Sequence, residues 1–114
     1  MQTFVPYTNF DLCSACLDRQ RLGKQRVEVL QILNAITGNS NGWVNHPATK
    51  MWQHNPAGLA AYGVYICTEW IRRGYTDTCR EKISNLVTPD DNDLPVWWGD
   101  KRVHASHRSN LLRK

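Results

Sequence analysis

The sequence predicts an all-α fold, one compact helical domain spanning residues 1–114, and three observations carry that expectation. Apolar residues recur at three- and four-residue intervals through two long stretches, the period of a helix that buries one face. Cap-forming side chains precede those stretches and glycines follow them, in the order that helix ends require. Alternation of apolar and polar residues never persists beyond three or four positions, so no strand is expected.

In chain order, Asn9 or Asp11 can cap a short helix running to about Asp18. A longer helix is expected from about Arg21 to Thr37, with Val29, Leu30, Leu33 and Ile36 on its apolar face and Gly38 just beyond its end. Gly23 is unusual so near a helix start and offers an alternative beginning. Asn39-Ser40-Asn41-Gly42 reads as a turn, and His46-Pro47 opens a short helical turn carrying Thr49, Lys50 and Trp52. Asn55-Pro56 is an N-cap followed by a proline in the first helical position. The helix it starts carries Leu59, Tyr62, Gly63, Ile66, Trp70 and Ile71 and ends at Gly74. Apolar on two faces, it is the expected centre of the core. Thr76 or Asp77 can cap another helix to about Leu86, Thr88 to Pro95 reads as an acidic loop, and a last helical segment is expected from Ala105 to Arg113.

A length of 114 residues suits one domain. No apolar stretch is long enough to span a bilayer, and Met1 to Tyr7 shows no secretory signal pattern, so a cytoplasmic protein with no membrane attachment is expected. Cys13 and Cys16 form a C-x-x-C without the second ligand pair that zinc requires. The expectation is therefore reduced core thiols, no metal and no cofactor.

Fourteen Lys and Arg against ten Asp and Glu give a net charge of +4, weak evidence by itself. Distribution says more. Arg19, Arg21, Lys24 and Arg26 crowd one segment, and Lys101, Arg102, Arg108, Arg113 and Lys114 crowd another, while Asp90, Asp91 and Asp93 sit apart. Segregated charge of this kind attracts phosphates.

Three segments can carry chemistry. In Arg21 to Glu28, helical spacing puts Lys24 beside Glu28 and Arg21 beside Gln25. Glu28 is then a carboxylate among cations, and the helix start with Gly23 a candidate phosphate cradle; a solvated face with i,i+4 pairs is the plainer alternative. In the second, Trp43, Asn45 and His46, followed by Trp52, suit stacking on a base and bonding to its edge, or else core tryptophans and a helix cap. The third, Trp97 to Asn110, gathers aromatic, cationic and short polar residues, with His104, His107 and Arg108 on one helical face. The phosphate-contact candidates are Arg21, Lys24, Arg26, Lys101 and Arg108. The base-contact candidates are Trp43, Asn45, His46, Trp52, Trp98, Ser106 and Asn110, and for acid or base work they are Glu28, His46, His104 and His107.

Together these residues resemble a known family. Arg21-Leu22-Gly23-Lys24-Gln25-Arg26-Val27-Glu28, Asn45-His46-Pro47-Ala48-Thr49, Glu69-Trp70-Ile71-Arg72-Arg73-Gly74-Tyr75 and His104-Ala105-Ser106-His107-Arg108-Ser109 occur in order and spacing similar to a bacterial and phage branch of the pyrimidine-dimer DNA glycosylases. The founding member of that group is the phage enzyme endonuclease V. The resemblance implies an endonuclease V-like helical fold, a kinked DNA duplex as partner and a role in DNA repair. It also implies attack on the sugar C1′ by the N-terminal amine of a threonine, assisted by a glutamate. Two positions depart from that pattern: residue two is Gln2, and no acid falls within Gln20 to Gly23, which leaves Glu28 as the nearest later carboxylate. The alternative to a DNA-acting enzyme is a non-catalytic binder of a small phosphate-bearing nucleotide, with a homo-oligomer placing its pockets between subunits. A basic protein that binds only a protein partner is a third reading.

Overall fold

Helices begin in this chain where a side-chain acceptor can take the first free amides. The computed structural model describes residues 3–39, 42 and 44–112, and among them the chain is all-α, with no strand. Its helices are α1 (Phe10–Ala15), α2 (Arg19–Ile36), α3 (Pro47–Trp52), α4 (Pro56–Arg72), α5 (Cys79–Leu86) and α6 (Lys101–Leu112). Asn9 caps α1 by accepting from Leu12 N–H at 3.2 Å. Asp18 caps α2, accepting from Arg21 N–H at 2.8 Å, so that helix starts two residues before the expected Arg21. His46 Nδ1 accepts from Ala48 N–H at 3.1 Å to open α3. The Asp77 carboxylate takes the amides of Cys79 and Arg80 at the start of α5. Asp100 accepts from Arg102 N–H at 2.9 Å, and α6 accordingly begins at Lys101 rather than Ala105.

Gly23 is inside α2, not at its start. The ladder is already closed by Leu22 N–H on Asp18 O at 2.9 Å, so the amide of Gly23 is no cradle for phosphate. A packing contact explains the glycine instead: a Cβ there would lie 3.0 Å from the indole ring of Trp70.

The apolar helix α4 is the centre, packed against α1, α2, α3 and α5. Its closest approach is at Gly63, where a Cβ would stand 2.6 Å from Val29 Cγ1 and 3.0 Å from Ile83 Cδ1. The missing side chain lets α2, α4 and α5 meet at one point. Val29, Ile32, Leu33, Leu59, Tyr62, Ile66 and Ile83 are fully buried around that point. The four cysteines are free thiols, three of them buried. Burial pushes Cys13 up to about 12, so it stays protonated and unreactive. Among the described residues no helix is long and apolar enough to cross a membrane, and no cluster of side chains suits a metal ion.

Candidate functional site

The segment from Thr3 to Pro6 runs over the core without a strand partner, so its buried backbone groups must be satisfied by side chains. Three helices, α2, α4 and α6, supply them, and α3 bonds the Thr3 hydroxyl. Phe4 N–H donates to Gln25 Oε1 of α2 at 2.8 Å, and the Tyr62 hydroxyl of α4 donates to Phe4 O at 2.7 Å. From α3, Trp52 Nε1–H donates to Thr3 Oγ at 3.0 Å. From α6, His107 Nδ1 accepts from Val5 N–H at 2.9 Å and His104 Nδ1 lies 2.6 Å from Val5 O. Arg108 then donates to Pro6 O at 2.7 Å. His104 Nε2 accepts from Gly99 N–H at 3.0 Å, which puts the ring proton on Nδ1, the atom that faces Val5 O.

Glu28 follows Gln25 by one turn of α2 and so lies on the face that receives this segment. It is 8% exposed, and Lys24 Nζ stands 3.8 Å from its carboxylate at the rim. On the outer side of the segment, Pro6, Tyr7, Cys16, Asp18, Arg21, Arg108 and Leu111 line a cleft of about 360 Å³. Two guanidinium groups therefore share one depression, and that of Arg108 is 5.8 Å from the Tyr7 ring. This is a combination that can hold a phosphate beside an aromatic face.

The structure sorts the candidates. Arg21 and Arg108 line one cleft against the N-terminal segment, and the exposed Lys24 pairs with Glu28 further along α2. Arg26 points inward: its guanidinium lies 4.5 Å from the Trp70 ring and pairs with Asp77 at 2.5 Å, so it is not presented to a phosphate. Trp52 is 0% exposed and offers no face to a base, because its indole is enclosed by Thr3, Tyr62 and Trp97. Trp98 is half-buried, its ring 5.0 Å from Phe10 and 5.1 Å from His104. His104 and His107 are buried and bonded to the backbone, which removes both ring nitrogens of His104 from acid or base work. Burial, and after it the neighbouring His104, hold His107 below the usual histidine value.

Asn45 is exposed ahead of α3, and His46 uses Nδ1 as that helix's cap. Lys101 and Ser106 are exposed on α6, where Ser106 borders an open depression of about 420 Å³ with Asp100, Arg102, Val103 and His107. Asn110 is half-buried further along α6. Trp43 lies outside the described residues, as do Met1, Gln2 and Arg113. Gln25 and Tyr62 escaped sequence reasoning. The available signal was a glutamine inside the apolar stripe Leu22, Val29, Ile32 and Leu33, since a polar residue on a buried face needs a buried partner.

A family model described as pyrimidine dimer DNA glycosylase matches residues 1–82, nearly three-quarters of the chain. The chain belongs to that family. The matched span holds the N-terminal segment, α1 to α4 and the start of α5; the α6 residues that bind Val5 and Pro6 lie beyond it. No curated protein and no solved structure matches.

Proposed function

We propose that this member of the pyrimidine dimer DNA glycosylase family binds duplex DNA through the face bearing Arg21, Lys24 and Arg108, and removes a damaged base with Glu28 supporting the reaction. One observation carries the proposal. The segment preceding α1 is fastened against Gln25, one turn from the shielded Glu28 carboxylate, and cations flank it on the outside.

In a reaction of this kind an amine nitrogen bonds to the sugar C1′ as the bond from C1′ to the base breaks, and the base leaves with the bonding electrons. Loss of a proton from that nitrogen and opening of the sugar ring give a Schiff base. Positive charge develops on the sugar before the new bond is complete. A carboxylate shielded from water stabilises that charge more than a solvated one does. A damaged nucleotide is also unstacked at lower cost than an intact one, which favours lesions.

The test is borohydride trapping on a duplex carrying one cyclobutane pyrimidine dimer. A covalent adduct is expected, and peptide mapping of it distinguishes a main-chain amine from Lys24 Nζ. Glu28→Gln should lose the adduct while still binding DNA. Arg21→Gln with Lys24→Gln should weaken binding at every sequence and lower the salt slope by about 2. Neither adduct nor glycosidic-bond cleavage in dimer-bearing or modified duplexes would overturn the proposal. Recovery of an unchanged small nucleotide from the heat-denatured protein would favour a sequestering role instead.

A further inference from the structure

We infer that His104 and His107 are positioning residues: the two imidazoles of α6 act on the reaction by holding the peptide groups of Val5 rather than by touching DNA. This rests on the glycosylase reading. Two imidazoles three residues apart on α6 project from the same helical face toward one residue. One takes the Val5 N–H and the other meets the Val5 carbonyl, so a helix supplies the donor and acceptor that a neighbouring strand would otherwise supply. Val5 is fully buried, and losing either bond leaves a polar group that water does not reach. The tautomer needed at His104 is itself set by the Gly99 amide at the turn before α6. Arg108 fastens Pro6 one residue further on.

The consequence concerns Phe4 and Thr3. With Val5 fixed by α6, Phe4 is held on Gln25 and Tyr62 and Thr3 on Trp52, and Gln25 is one helical turn from Glu28. A displacement of about 1 Å at a reacting group can reduce a rate about 100-fold. In this arrangement duplex DNA is gripped by Arg21, Lys24 and the neighbouring Arg108 and not by the buried imidazoles, so affinity should be insensitive to the histidines.

Two variants of the full-length protein separate positioning from packing. In His107→Asn the side-chain oxygen stands near the place of Nδ1 and still accepts from Val5 N–H. In His107→Gln the acceptor lies one carbon further out and misses it. The readouts are the single-turnover rate on a dimer-bearing duplex, the Kd for that duplex at fixed salt, and hydrogen exchange at Phe4 and Val5. For the Gln variant we expect a rate about 10- to 100-fold lower, unprotected Val5 and Kd within about twofold of wild type. The Asn variant should recover both rate and protection. A Gln variant with Val5 unprotected and full rate overturns the inference, and so does a Kd that rises in step with the fall in rate. If the Gln variant fails to fold, nitrogen chemical shifts of wild-type His107 decide the point, because a protonated Nδ1 is incompatible with the bond. A wild type that binds but never cleaves sinks the glycosylase reading, whereas equal Val5 protection in the Gln variant sinks the clamp whatever the activity.

Discussion

The pair of Arg26 and Asp77 provides the sharpest test of how burial divides structural cations from binding ones. Its side chains are 15% and 1% exposed, and the Asp77 carboxylate also takes the amides of Cys79 and Arg80. Burial alone would raise the Asp77 carboxyl, but the Arg80 amide, Arg26 and the Cys79 amide outweigh it and hold it below its usual value. Asp77→Ala removes one partner of a buried pair, at about 3–5 kcal/mol, and the cap of α5, at about 1 kcal/mol. A loss of about 4–6 kcal/mol is comparable to the whole stability of a small domain. Asp77→Asn keeps an acceptor for the amides and should cost about 2 kcal/mol, the worth of a charged hydrogen bond. Arg26→Met keeps apolar contact with Trp70 and leaves Asp77 its two amides, so it should cost less than Asp77→Ala. Urea unfolding followed by tryptophan fluorescence measures each variant, and the double variant Arg26→Met with Asp77→Asn gives their coupling. DNA affinity of Arg26→Met should match wild type where both are folded. An Arg26→Met protein with an unchanged urea midpoint and strongly weakened DNA binding would refute the assignment and return Arg26 to the interface.

Two further outcomes follow from packing and titration. Gly63→Ala gains helix propensity but drives a Cβ to 2.6 Å from Val29, so a net loss of about 1–2 kcal/mol is expected in urea, largely relieved by adding Val29→Ala; a raised midpoint would refute the close approach. His107 has its folded pKa lowered, so the unfolded chain binds its proton first as pH falls. The stability it contributes is complete above the usual histidine value of 6.5 and is lost as pH drops through the lower folded value. The urea midpoint should begin to fall just below that value in the wild type, and His107→Asn should flatten the decline.

How much of the fold was legible can be traced to particular residues. Val29, Leu33, Leu59, Tyr62 and Ile66 sit at helical spacing and are fully buried, so α2, α4 and the central place of α4 were readable from periodicity. Starts were less so. Asp18 and Asp100 are ordinary acids until their carboxylates are seen on Arg21 and Arg102 amides, and they move α2 and α6 toward the N-terminus of the expectation. The candidate site was readable only where charge sufficed. Arg21 and Arg108 meet in one cleft, but Arg26 looks the same in sequence and turns inward to Asp77, 51 residues away. Composition likewise marked the tryptophans, while their mutual packing consumes the surface of Trp52 and much of Trp98.

A positive net charge therefore does not by itself number the phosphate contacts. Glu69 holds both Arg72 and Arg73 with bonds of 2.6–2.8 Å, and Asp100 engages Arg102. What separates these cations from one another is the cost of releasing each from its partner. The Arg21–Asp18 pair is 21% and 55% exposed, and an exposed pair is worth at most about 1 kcal/mol, less than a phosphate contact returns. Arg26 would abandon a carboxylate that is almost wholly enclosed, leaving that charge without its counterion. Arg108 is different again: its acceptor is a backbone carbonyl, which satisfies one N–H, and among the described residues no carboxylate pairs with its guanidinium beside Tyr7. The field at the cleft consequently comes from Arg108 and Arg21, which line it, and it lies over the segment that α6 holds in place. On the proposed function, a DNA strand drawn to that field arrives beside the fastened N-terminal segment, one helical turn of α2 from Glu28.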